Sequence, residues 1–140
     1  MTTKIVVDTS VFVSALIGSV GPSREVIRRC LTGEYQSLIG NALFCEYESV
    51  IFRKEIRNLC PLTQEEILVL LQAFISVSQW VNIYFLWRPN LMDETDNHLI
   101  ELALAGNASY LVTNNIKDFQ NTDLLFPTLS IVKPEQLIRS

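Results

Sequence analysis

"KIVVDTSVFVSAL", residues 4–16, sets a run of branched apolar residues directly against an aspartate. Residues 4–7 read as a short strand buried on both faces, and residues 10–17 as a short apolar helix. Asp8 stands between them. A buried carboxylate is costly unless it is paired or holds a cation, so Asp8 either caps the helix or faces something positive.

Four further β-prone runs lie downstream: "YQSLI" (35–39), "VNIYFLW" (81–87), "YLVT" (110–113) and "LSIV" (129–132). Helical patterns separate them. Residues 22–32 start with Pro22 in the first turn and stop near Gly33. A second helix follows Asn41 as N-cap and runs to about Asn58. A third starts at Thr63, with Glu66 three residues on in a capping-box arrangement. A fourth covers roughly 94–105 and stops at Gly106-Asn107. Strands alternating with helices predict an α/β fold, a mostly parallel sheet of four to five strands flanked by helices. No repeat, low-complexity tract or linker interrupts the chain, so a single domain over 1–140 is expected.

The 140 residues are 49% hydrophobic and 19% charged, the balance of a globular protein rather than a disordered one. A formal net charge of −4 gives no general attraction to nucleic acid, so binding of that kind needs a local basic patch or a metal. The apolar run before Asp8 is too short for a signal peptide. Cys30, Cys45 and Cys60, without CxxC spacing, read as reduced thiols of a cytoplasmic protein. The uncharged stretch 67–87 has the length of a membrane span. Gln72, Ser76 and Gln79 nevertheless continue a polar face from Glu65, so the reading is an amphipathic helix and then a buried strand, with no membrane.

In open parallel sheets, ligands sit beyond the carboxyl ends of the strands. Asp8 lies at such an end, as do Asp93 and the segment from Thr113 to Asp118. In "MDETDNHLIELALAG" (92–106), Asp93 and Asp96 share one face of a first helical turn, where N-capping and the helix dipole offer an alternative account of them. Glu46 borders the apolar stripe of Leu43, Tyr47, Val50 and Ile51, whereas Glu48 points about 200° away. The alternative account of Glu46 is a plain solvated glutamate. Asn114 and Asn115 suit a turn. Carboxylates converging from separate segments repel one another unless a cation joins them. Hard oxygen ligands without a His or Cys set point to Mg²⁺ or Mn²⁺, and such a site favours phosphodiester hydrolysis.

Four segments, in this order and spacing, resemble the PIN domain, a family of metal-dependent ribonucleases, and within it the VapC-type toxins and their stand-alone relatives. They are "VVDTSVFVSAL", "ALFCEYESVIFR", "DETDNHLIELALAGNASYLVTNNIKDF" and "LSIVKPEQLI". The resemblance implies a PIN-like three-layer fold and an endoribonuclease acting on single-stranded or loop RNA. It makes Asp8, Glu46 and Asp96 the principal acids and Asp93 an accessory one, with Thr9 or Ser10 and Thr113 as polar neighbours of the metal. Where the family often has a fourth aspartate this chain has Asn115, and Asp118 of the "T-x-N-x-x-D-F" variant then supplies the fourth carboxylate. Homodimerisation and a small antitoxin protein as partner are further implications. A catalytically weak PIN domain that binds RNA or protein is the alternative, kept open by Asn115.

Other residues are secondary. His98, two residues past Asp96, points off the Asp93/Asp96 face and reads as a surface or interface histidine. Arg24, Arg28, Arg29, Arg53, Lys54 and Arg57 form two basic helical clusters, either solvated faces or phosphate contacts. Phe85, Trp87 and Phe119 are candidate base-stacking residues, although Phe85 and Trp87 also suit a core or interface. Ser10 stands where a haloacid-dehalogenase-like phosphatase needs its second aspartate, which excludes that class. Lys117 is badly placed for a receiver-like phosphoacceptor.

Overall fold

The structure, a computed structural model, describes residues 2–18, 21–82, 97–119 and 128–139, with the backbone alone at 97, 117 and 118. Among these residues five strands form one sheet: β1 (Thr3–Val7), β2 (Tyr35–Ile39), β3 (Gln79–Trp80), β4 (Tyr110–Val112) and β5 (Ser130–Val132), in the order β3-β2-β1-β4-β5. All four pairings are parallel. The register sets Ile5 opposite Ser37 on one side and Tyr110 on the other. β1 is therefore central, and Ile5, Val6 and Val7 are fully buried, as their unbroken apolar run requires.

Helices α1 (Thr9–Ile17), α2 (Pro22–Leu31), α3 (Asn41–Ile51), α4 (Lys54–Leu59), α5 (Gln64–Ser76), α6 (Asn97–Ala105) and α7 (Pro134–Arg139) flank the sheet. α6 packs on β1, β2 and β4, while α1 packs on α2 and α3. Phe12, Tyr47 and Phe74 meet at the centre of the core, with ring centroids 5.3 to 5.8 Å apart. The sequence order reverses at β1: the chain leaves it for β2 on one side and returns to β4 on the other. The crevice at the carboxyl ends of β1 and β4 is thus the switch point where such folds place ligands.

Several local signals act as read. Pro22 occupies the first turn of α2, and Gly33 beyond its end has φ +90°, a conformation that favours glycine. Thr63 Oγ1 accepts from Glu66 N at 3.1 Å while Glu66 Oε1 accepts from Thr63 N at 2.9 Å, a complete capping box. Thr63→Ala is expected to lower stability by about 1 kcal/mol, read as a small drop in melting temperature.

Gly106, at the end of α6, meets β2 closely. A Cβ there would run into Leu38 Cδ1 and lie 3.2 Å from Val81 Cγ2. Leu38 is itself buried, so its side chain has little room to yield. Gly106→Ala should destabilise the fold by roughly 1–3 kcal/mol, measurable by urea unfolding. Asn107, with φ 57°, then turns the chain out of α6.

Three expectations change. The helix expected from Asn41 to about Asn58 is two helices: Asn41 is its first residue with Gly40 as cap, and the extended Arg53 (ψ 136°) separates α3 from α4. No glycine or proline marks that break. Cys60 Sγ donates to Leu16 O at 3.3 Å, tying the end of α4 to α1. The strand expected at 81–87 instead begins as β3 at Gln79–Trp80, because α5 stops at Ser76 and Ser78 is held by Phe74 O and Ser37 Oγ. Residues 83–87, and 94–96 of the expected fourth helix, lie outside the described residues. Finally, Phe119 is buried rather than available for stacking. α5 buries Ile67, Leu71 and Phe74 and exposes Val69. No helix among the described residues is long and apolar enough to cross a membrane. Cys30 and Cys60 are buried and Cys45 is exposed, and all three are free thiols. Burial pushes the Cys30 thiol up to about 12.

Candidate functional site

Asp8 occupies the N-cap position of α1, yet its side chain makes no cap hydrogen bond. The backbone carbonyl of Asp8 accepts from Val11 N at 3.0 Å, while the carboxylate turns the other way. Its Oδ2 accepts from Thr113 Oγ1 at 2.7 Å and Ser10 Oγ at 3.1 Å. Only 5% of Asp8 is exposed, and no cation pairs with it among the described residues. The capping account of Asp8 therefore fails, and what remains is a buried carboxylate held, among the described residues, by hydroxyls.

The two central strands set this up. Asp8 N donates to Val112 O, and Thr113 N to Val132 O, so Asp8 and Thr113 emerge side by side at the switch point. Thr113 Oγ1 also accepts from Asn115 N at 3.0 Å. Asn114 bonds Ser10 and Ser14, closing the turn against the start of α1. The side chain of Asn115 is exposed.

Glu46 reaches the same place from α3. Tyr47, the next residue, is buried and donates its hydroxyl to Val7 O, which docks α3 onto the end of β1. Glu46 then lies at the edge of the buried stripe while Glu48 is exposed, as the helical spacing predicts. Thr9 Oγ1 donates to Glu46 Oε1 at 2.6 Å and stands 3.4 Å from Asp8 Oδ1. With one proton to give, Thr9 serves Glu46. The two carboxylates thus approach a single hydroxyl.

His98 corrects the surface reading. It is 18% exposed, and its Nε2 lies 2.9 Å from Glu46 Oε2. This bond, opposed by burial and aided by the Thr9 hydroxyl and the Arg53 charge, holds the Glu46 carboxyl below the usual carboxylate range. An ionised carboxylate only accepts, so Nε2 carries the donating proton. Nδ1 is buried with no hydrogen-bond partner among the described residues. The signal was available in "HLIELALA": Leu99, Ile100, Glu101, Leu102 and Ala103 are all buried, and so nearly apolar a helix leaves little solvent face for a histidine.

Asp93 and Asp96 lie outside the described residues, as does the side chain of Asp118, whose backbone belongs to a short 3₁₀ turn at Ile116–Phe119. Among the described residues no three His, Cys, Asp or Glu form a metal-sized cluster. Asp8 and Glu46 nonetheless supply hard oxygens beside one hydroxyl, which fits the preference of Mg²⁺ or Mn²⁺. Of the basic clusters, Arg24 is spent on Gly18 O, and Arg28 and Arg29 on Glu25. Lys54 and Arg57 line a separate groove with Asn58, Thr63 and Gln64.

A family model of the PIN domain matches residues 4–117. The solved structure of VapBC2 from Rickettsia felis, bound to a DNA fragment from its promoter, contains a chain of similar fold. The TM-score is 0.63 at 18% identity, covering 94% of this chain and 98% of that one. No curated protein matches the chain. With the family model spanning most of the sequence and the fold agreeing with it, the chain belongs to the PIN-domain family.

Proposed function

We propose that this PIN domain is a divalent-metal-dependent endoribonuclease and the toxin component of a toxin–antitoxin pair. The observation that carries the reading is Asp8: a buried carboxylate at the switch point, turned away from the helix it could cap, with hydroxyls but no described cation around it. Asp8, Asp96 and Asp93, with Glu46 and Asp118, would hold Mg²⁺ or Mn²⁺. When bound, the ion supplies charge neutralisation at a phosphate and acidification of a water.

The chain's own residues prepare that chemistry. Ser10 and Thr113 fix Asp8 through Oδ2, which leaves Oδ1 as the oxygen facing a cation. Glu46, ionised and partly exposed, can accept a proton or orient water. Asn115, whose backbone N–H donates to Thr113 Oγ1, would orient a water in this reading. Hydrolysis adds water oxygen to phosphorus and breaks the bond to the 3′-oxygen, giving a 3′-hydroxyl and a 5′-phosphate.

RNA is the substrate in this reading, and a small antitoxin protein and a second copy of the chain in a homodimer are its partners, in the cytoplasm. Of these, the protein partner is supported by the likeness to the VapBC2 complex. Asn115, in the position often held by a fourth aspartate, favours a second reading, a catalytically weak domain that binds RNA or protein. Purified protein incubated with mixed-sequence RNA decides between them. Cleavage with Mg²⁺ or Mn²⁺ and none with EDTA supports the nuclease. Mn²⁺ binding by calorimetry without cleavage supports the binding module.

A further inference from the structure

We propose that His98 is a positioning residue that aims the Glu46 carboxylate at the acidic site; the inference rests on the metal-site reading above. Glu46 and His98 are 52 residues apart, on α3 and α6, and meet at 2.9 Å. A partly exposed glutamate alone would sample several rotamers, but here each oxygen has its own donor. Oε1 takes Thr9 and Oε2 takes His98. Two donors on two oxygens fix the plane of the carboxylate as well as its position. Each oxygen keeps a further lone pair for a cation or water.

The bond also joins two acid-bearing segments. α6 opens at Asn97, directly after Asp96, so the His98 contact ties the chain next to Asp96 to the helix that carries Glu46. Thr9 performs the matching task toward Asp8. Partners of this kind typically govern 10–100-fold in metal affinity or activity.

Reach separates positioning from mere packing. In His98→Gln the amide nitrogen lies as many bonds from Cβ as Nε2 does, whereas in His98→Asn the same group is one bond shorter. The readout is the Mn²⁺ concentration giving half of the rise in melting temperature, with RNA cleavage alongside. His98→Asn should need roughly tenfold more Mn²⁺, and His98→Gln should stay within about threefold of wild type. If metal-free His98→Asn melts early, a Glu46→Gln background decides, since the His98 effect should vanish there. Persistence of the full loss in that background overturns the inference.

Equal behaviour of wild type and both variants, or equal impairment of both, also overturns it. Asp8→Asn keeps the two levels apart. If wild type responds to Mn²⁺, Asp8→Asn does not, and His98→Asn matches wild type, only the His98 role fails. If wild type neither responds to Mn²⁺ nor cuts RNA, the metal-site reading fails and takes this inference with it.

Discussion

Asp8→Asn is expected to fold normally and to lose metal-dependent RNA cleavage by at least ~100-fold, since residues acting only through a ligand already govern 10–100-fold. The amide has nearly the shape of the carboxylate. The hydroxyls of Ser10 and Thr113, which donate to Oδ2 in the wild type, can rotate to accept from its NH₂ group. Without metal, the variant should melt at or above the wild-type temperature, because it removes a buried charge that no described cation offsets.

Metal reverses that order. A cation that binds only the folded protein stabilises it by about 2.7 kcal/mol at roughly 100 times its dissociation constant. For a chain of this size that is a rise of about 5–10 °C. Wild type should show this rise with Mn²⁺ and Asp8→Asn should not, so the two melting curves cross between EDTA and Mn²⁺. A variant that melts several degrees below wild type in EDTA would identify Asp8 as a structural hydrogen-bond acceptor instead.

The parts of the site legible in the sequence are those set by local pattern. The Ile5–Val7 run announces a central strand, and helical spacing separates Glu46 from Glu48 on α3. What the pattern leaves open at Asp8 is its side-chain direction: an aspartate before a helix is equally a cap, and the contacts with Ser10 and with Thr113, 105 residues away, show which way it turns. Spacing from Asp93 and Asp96 does not reveal the place of His98, because its partner, Glu46, comes from another helix. The break at Phe52-Arg53 has no propensity signal; α4 has no fully buried residue and is tethered through Cys60. β3 starts early for a tertiary reason too, since Ser37 on β2 holds Ser78. Phe119 looked like a surface aromatic beside polar residues, yet the 3₁₀ turn carries it into the core.

Tyr47→Ala should be the most destabilising of the substitutions considered, by roughly 3–5 kcal/mol. Its ring is 1% exposed and lies 5.3 Å from Phe12 and 5.8 Å from Phe74, each of which also touches the other. Truncation leaves a void bordered by two rings on different helices, α1 and α5, which cannot collapse into it together. Against a typical total of about 5–15 kcal/mol, that is a large share, and the melting temperature should fall by about 10 °C or more. Tyr47→Phe keeps the ring and removes only the hydroxyl's bond to Val7 O, so about 1 kcal/mol is expected. Burial, and then the Asp8 charge, push the phenol well above its ordinary value, so it remains a donor to that carbonyl throughout the neutral and mildly alkaline range. Urea unfolding of both variants separates packing from hydrogen bonding. Similar losses in the two would make the hydroxyl, rather than the ring, the main tie between α3 and the end of β1. Because Val7 precedes Asp8 and Tyr47 follows Glu46, that tie sets where both acids stand, and Tyr47→Phe should then weaken the Mn²⁺ response while leaving the protein folded.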